Sequence, residues 1–318
     1  MLVGLVAAST SHAADVAARM APVIAMAEDR VESLASDEAG YKYAYEGRLR
    51  VAFVRGDEGW RAACKLDMSL GHQEDCKSED ANPFKQLYVH DGKYRRAITT
   101  SGFRPMENCC QSNGWLDAHP LSAIGRLGDR LVKWGGSLYE PAFKPEPVTN
   151  SLVPINDPQR WQETKQAVRV SKASWDQMKP TIDDVQLCRK GANVIRIAPQ
   201  PRHIQVQRRY ANIRNATLAE IGMSRSWRED CEKSGGAFPD GNLHWPRFWI
   251  SNKANGTQTV HSLKHRTGFD RLEPIAFADF DGDGESEALF MLSGYVRDGY
   301  VLLFDGMNRK AMFAWAYH

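Results

Sequence analysis

The sequence predicts a mainly β protein built from antiparallel sheets, arranged as propeller-like or sandwich-like meanders, with a few helices including one at the N-terminus. Three observations predict it. Alternating apolar and polar runs are separated by turns rich in Gly and Asp. Asp-Gly pairs stand between such runs, the strongest short-range hairpin signal. The segment 275–316 breaks into short apolar stretches joined by tight polar connections.

The elements follow in chain order. Residues 15–35 carry Val16, Met20, Val23, Ile24, Met26 and Val31 with few breakers, a pattern that predicts an amphipathic helix. From Tyr41 the texture changes to strands. Residues 47–54 alternate, Gly56-Asp57-Glu58-Gly59 turns, and 60–64 return. Residues 86–90, Asp91-Gly92 and 94–99 repeat the idea. A weaker helix is expected at 121–134, where Gly125 and Gly128 count against it. Pro141, Pro145, Pro147 and Pro154 then form an extended connector. The domain boundary is placed there, near residue 150. It separates an N-terminal helix plus antiparallel β region (14–150) from a C-terminal β region (151–318). Asp157-Pro158 predicts a helix start, with Trp161, Lys165 and Val168 at helical spacing to about residue 170. At the C-terminus strands are expected at 275–280, 288–295, 300–304 and 311–316. Many of their residues are apolar on both faces, so this sheet needs cover on each side. Residues 302–312 match 88–98 in register around an Asp-Gly pair, which is read as shared turn chemistry.

A chain of 318 residues can bury a sizeable core, and a formal charge of +2 gives no reason to expect nucleic-acid or membrane-surface binding. The start, Met1-Leu-Val-Gly-Leu-Val-Ala-Ala, is an apolar run ending in small residues, with Ser11 and Ala13 placed as at a signal-peptide cleavage site. Residues 1–13 are therefore read as the remnant of a signal peptide. No Lys or Arg precedes the run, a departure that an upstream start would explain. No later stretch is long and apolar enough to span a bilayer as a helix. The expected location is periplasmic or secreted. The cysteines fit an oxidising compartment: Cys64, Cys76, Cys109, Cys110, Cys188 and Cys231. Proximity favours Cys64–Cys76, and Cys188–Cys231 is the second expected bridge. Cys109-Cys110 is left as a vicinal pair, with a redox or soft-metal role as the weaker alternative.

The chemically most specific segment is Asp279-Phe-Asp281-Gly-Asp283-Gly-Glu285-Ser-Glu287. Ca²⁺ takes about six to eight oxygen ligands, and a short loop supplies them when alternate residues point inward. Asp279, Asp281 and Asp283 are the first candidate ligands. The Glu285 carbonyl is the next, and Glu287 closes the loop. Gly282 and Gly284 permit backbone angles that a Cβ resists. The EF-hand closes at loop position twelve between helices; here the closing acid comes sooner and the flanks read as strands. The alternative is an acidic hairpin turn without metal.

A strand, an acidic D-x-D-G-D-G loop and a second strand, over about 275–292, resemble one FG-GAP/VCBS-type repeat. Such repeats occur in integrin-like propellers and many exported bacterial proteins. The resemblance implies Ca²⁺ in a structural role and implies no enzyme activity. That family usually shows several such loops and this chain has one, so a propeller with a metal in every blade is not expected.

Other clusters carry weaker signals. Between Arg196 and Arg228 arginines are frequent and acids are rare. Arg208 and Arg209 could grip phosphate or polysaccharide carboxylates. The blander reading, favoured here, is a solvated face paired to acids such as Glu229 and Asp230. The aromatic cluster around Trp245, Phe248 and Trp249 reads as core before it reads as a sugar platform. His261 and His265 lack the Glu of a zinc-protease helix. No G-x-S-x-G elbow, S-x-x-K, P-loop or dinucleotide fingerprint is present. The expected function is a calcium-binding interaction module of the cell envelope, its partner an envelope protein or polysaccharide. The alternative is an envelope hydrolase acting on peptidoglycan or polysaccharide, with a carboxylate pair that only the fold could assemble.

Overall fold

A computed structural model describes residues 22–37, 40–63, 66–67, 72–73, 86–90, 95–105, 114–119, 146–149, 157–183, 188–237, 246–262, 264–265, 268–269, 271–293 and 297–316. The fold is mainly β, with antiparallel sheets and two α-helices among the described residues. Residues 1–13, Cys64, Cys76, Cys109, Cys110, Trp245 and the expected helix 121–134 lie outside the described residues. The chain divides into two compact units. The first comprises Met1–Asn156, Pro274–Phe290 and Gly299–His318; the second comprises Asp157–Glu273 and Met291–Asp298. The boundary expected near residue 150 falls close to the Asn156/Asp157 division, but the first unit takes back two C-terminal segments.

In the first unit a seven-stranded sheet runs in the order Val23–Asp37, Glu146–Thr149, Gln86–His90, Arg95–Pro105, Gly114–His119, Gly40–Gly56, Gly59–Ala62. The hairpins expected around 56–59 and 91–92 are both present as strand pairs: Gly56↔Gly59 to Phe53↔Ala62, and His90↔Arg95 to Gln86↔Thr99. The expected N-terminal helix is corrected. Over 23–37 the chain is a strand, paired with Gly40–Gly56 from Val23↔Val54 to Asp37↔Gly40. Val23, Ile24, Ala25 and Met26 are all fully buried, so both strand faces are apolar. A run buried on both faces has no period of two, and its periodicity cannot separate strand from helix. The partner strand decided.

The C-terminal meander is a four-stranded sheet of Arg271–Ala278, Glu287–Ser293, Arg297–Phe304 and Arg309–Ala316, in that order. Asp305, Gly306 and Met307 take φ of 55°, 57° and 64°, so the Asp-Gly hairpin turns through left-handed residues in the loop between Phe304 and Arg309. Ala278, Phe280, Leu289, Tyr300, Leu302, Phe304 and Phe313 join Ile24, Met26, Phe53 and Trp60 in one core. Each large side chain buried there contributes about 1.5–3 kcal/mol.

The second unit holds a five-stranded sheet in the order Gln162–Glu163, Ile204–Ala211, Thr217–Met223, Phe248–Asn252, Gln258–His261. Its central strand, Thr217–Met223, is buried throughout. Ala219, Ile221, Met223, Phe248 and Ile250 form one face. They pack on Met178 and Ile182 of the helix Lys172–Asp183 and on Trp227 of the helix Arg225–Lys233. Phe248 and Trp249 are core, as their composition suggests.

The helix expected at 157–170 is also corrected. Asp157 and Pro158 open a turn instead. The Asp157 carboxylate accepts the N–H groups of Gln159 and Trp161, and Arg160 sits at φ 52°. A left-handed residue at that point ends helical continuation. Helix begins only at Lys172, where the Ser171 hydroxyl accepts the Ser174 N–H at 3.1 Å as an N-cap. Cys188 and Cys231 form a disulfide with Cα atoms 5.6 Å apart, as expected. It ties the helix Arg225–Lys233 to the hairpin strand Arg189–Lys190. Beside it, Arg189 and Ala237 exchange backbone hydrogen bonds of 3.0 and 2.7 Å. A Cβ on Gly236 would lie 2.5 Å from the Cys188 sulfur, so the bridge requires glycine there.

Candidate metal centre

The acidic loop connects the adjacent strands Arg271–Ala278 and Glu287–Ser293. Phe280 is buried in the first unit's core and Ser286 is buried at the other end, so the loop is pinned at both sides. Between them the chain must turn within a few residues. Gly282 and Gly284 do so at φ 80° and 89°.

That turn folds the backbone N–H groups inward onto carboxylates. Asp279 accepts from Gly282 at 2.6 Å through Oδ1 and from Gly284 at 2.9 Å through Oδ2. Asp283 accepts the Glu285 N–H at 2.8 Å. Asp281 accepts the Asp283 N–H at 3.3 Å through Oδ1, while its Oδ2 takes the Arg55 Nε–H at 2.6 Å. Arg55 comes from the strand Gly40–Gly56, so a cation of the N-terminal hairpin already offsets one charge of the loop.

Asp279, Asp281 and Asp283 each place one carboxylate oxygen within 4.8 Å of the other two. These are three of the five sequence candidates. Glu285 is exposed. Glu287 is buried, and its Oε2 accepts the Phe280 N–H at 2.8 Å, so it braces the loop's entry strand. Burial pushes the Glu287 carboxyl up to about 8; the Phe280 N–H opposes this, and Asp281, Asp283 and Asp279 push it further up. Asp279 is raised as well, chiefly by burial and then by Asp281 and Asp283, against the pull of its two backbone N–H bonds. Like charges this close favour either a proton or a cation. The donor set is all oxygen and all hard, which suits Ca²⁺, Mg²⁺ or Mn²⁺ and not a thiol-seeking metal. Three carboxylates fall short of a Ca²⁺ shell, so backbone carbonyls and water would supply the remainder.

The arginine pair is placed differently from its sequence reading. Arg208 and Arg209 are successive residues of Ile204–Ala211 and point to opposite sheet faces, so they cannot form one grip. Arg208 donates to Glu220 and to Glu273, each at 2.5 Å, and not to Glu229 or Asp230. Burial alone would lower the Arg208 guanidinium, but its bonds to Glu220 and Glu273 hold it above its ordinary value. Asp230 instead meets Arg202 at 2.5 Å and His203 at 2.9 Å. His203 Nδ1 accepts the Gln200 N–H at 3.1 Å, so the ring proton sits on Nε2 facing Asp230. His261 is buried at 3.0 Å from the Ser251 hydroxyl. Glu220 and Glu273 escaped the sequence reading because nothing in the spacing of 208, 220 and 273 foretells that they meet.

No protein-family model, curated protein or solved structure matches this chain. Among the described residues, no helix is long and apolar enough to cross a membrane.

Proposed function

We propose that this chain is an exported calcium-binding β protein that serves as a binding module of the bacterial cell envelope, with the ion ordering the C-terminal sheet. The observation that carries the reading is the convergence of the Asp279, Asp281 and Asp283 oxygens on a glycine-turned loop between neighbouring strands. That arrangement fits the resemblance to a single FG-GAP/VCBS-type repeat. The Cys188–Cys231 bridge supports an oxidising compartment, periplasmic or extracellular. An envelope protein or polysaccharide is the class of partner that such a location offers.

The ion's role is structural in this reading. Two carboxylates near a protein surface repel by up to about 4 kcal/mol, and a divalent cation removes that cost. Extracellular calcium modules bind at about 0.1–1 mM. The test is calorimetric titration of the EDTA-stripped protein with Ca²⁺ and, separately, Mg²⁺. Saturable heat with Ca²⁺, weakened in Asp283→Asn, supports the reading. Asp283 is the residue to change because Asp281 also holds Arg55. A silent titration up to several times the expected dissociation constant rejects it.

A further inference from the structure

The second unit carries a charged array on the sheet face opposite its helices. Arg208, Glu220, Trp249 and His261 form one cross-strand row, each directly paired with the next. Arg247 donates to Glu220 Oε1 at 3.0 Å, and Arg208 donates to Glu220 Oε2. Arg208 reaches Glu273 through Nη1, and Arg271 pairs with the other Glu273 oxygen. The result is a chain of alternating sign, Arg247–Glu220–Arg208–Glu273–Arg271, with arginine at both ends.

Three guanidinium groups face two carboxylates within this chain, and the Glu163 carboxylate acts on Tyr210 from the adjoining strand. Arg208 Nη2 is buried and has no hydrogen-bond partner among the described residues; Glu273 Oε1, which meets Arg271 as an ion pair, accepts no hydrogen bond there either. The guanidinium cannot swing to find one. Two carboxylates hold it, and it lies 5.6 Å above the Trp249 ring, which itself stacks on Tyr210. Glu220 is 1% exposed, whereas the Arg271 side chain is 56% exposed, so the array opens to solvent at the Arg271 end.

We infer that this array is a binding site for one oxyanion group, a phosphate or a carboxylate, received by Arg208 and Arg271 beside Tyr210. A guanidinium fork fixed in advance recognises such groups by paired N–H bonds and loses little freedom on binding. The site is separate from the acidic loop and does not rest on calcium binding.

The experiment is titration calorimetry of the full chain, stripped of calcium on a chelating resin, with inorganic phosphate and with glucuronate as probes, at constant ionic strength against chloride. Removing calcium beforehand keeps it from complicating the phosphate arm and leaves no competing carboxylate in the buffer. Saturable binding of either probe is expected, and the stronger of the two assigns the natural ligand class. Arg271→Gln should weaken it by roughly fivefold, the effect of one nearby charge, without lowering the melting temperature in chloride. Arg208→Lys keeps the charge but loses the fork, and should remove binding while remaining folded. No saturable heat with either probe in the parent protein overturns the inference. So does unchanged binding in both variants.

Discussion

The C-terminal meander and the second unit place their charges by opposite means. In the meander the acids are neighbours in sequence, and the turn at Gly282 and Gly284 brings Asp279, Asp281 and Asp283 together locally. In the second unit every important link is long-range. Arg208 meets Glu273 across 65 positions, Ser171 meets Gln258 across 87, and the disulfide spans 43. The local cluster keeps an excess of like charge that an ion can relieve. The long-range array nearly neutralises itself and leaves one guanidinium edge over. Local assembly suits a site that waits for something; non-local assembly suits one that also braces the fold.

The largest expected effect tests the bracing. Arg208→Met removes the group that Glu220 and Glu273 share and leaves Glu220 buried with Arg247 alone. Breaking a buried pair costs about 3–5 kcal/mol, to be read from urea denaturation. A loss no larger than that of an exposed ion pair would place the array among surface decorations. Next comes the disulfide. Reduction, or Cys231→Ser, should cost about 4 kcal/mol in the chain-entropy model. Gly236→Ala should mimic part of this loss under non-reducing conditions, because its Cβ displaces the Cys188 sulfur.

The third prediction concerns the meander and runs through pH. Burial holds the proton on Glu287 in the fold up to about 8, against 4.5 for an ordinary glutamate carboxyl. Between those values the folded state binds more protons than the unfolded one, so stability rises as pH falls. In EDTA the protein should gain roughly 3 kcal/mol from pH 8 to pH 5, and Glu287→Gln should flatten that slope in thermal melts. A slope of the opposite sign in the parent protein would show that Glu287 is ionised in the fold. The smallest effect is the ion's own. At about 1 mM Ca²⁺ the stabilisation is only about 0.4–1.4 kcal/mol, seen as a small rise in melting temperature that Asp283→Asn abolishes and EDTA reverses.

The hairpins were legible because their signals are local. Gly56 to Gly59 and Asp305-Gly306 specify turns from the residues in the turn itself, and the strands on either side follow by alternation. Val23 to Met26 read as helix because burial on both faces erases alternation, and the strands that pair with them lie at 50–54 and 146–149. Residues 157–163 were misread because a good helix opening, Asp157-Pro158, was spent on a side-chain-capped turn. The helix Lys172–Asp183 was missed because Pro180 stands inside it. At the charged sites, the three aspartates could be named from spacing alone, whereas Glu220 and Glu273 could not be linked to Arg208 without the strand register.

By itself, the order of residues determined the sheet-forming texture, the tight turns and a loop dense in carboxylates. These depend on steric limits and repulsions within a few residues, which any chain of this order would carry. The tertiary structure alone decided that Arg55 would reach Asp281, that Cys188 would meet Cys231, and which carboxylates Arg208 would hold. Those choices depend on which strands pair and in what register. Register is selected by burying the most apolar surface over the whole unit, a sum that no short stretch contains.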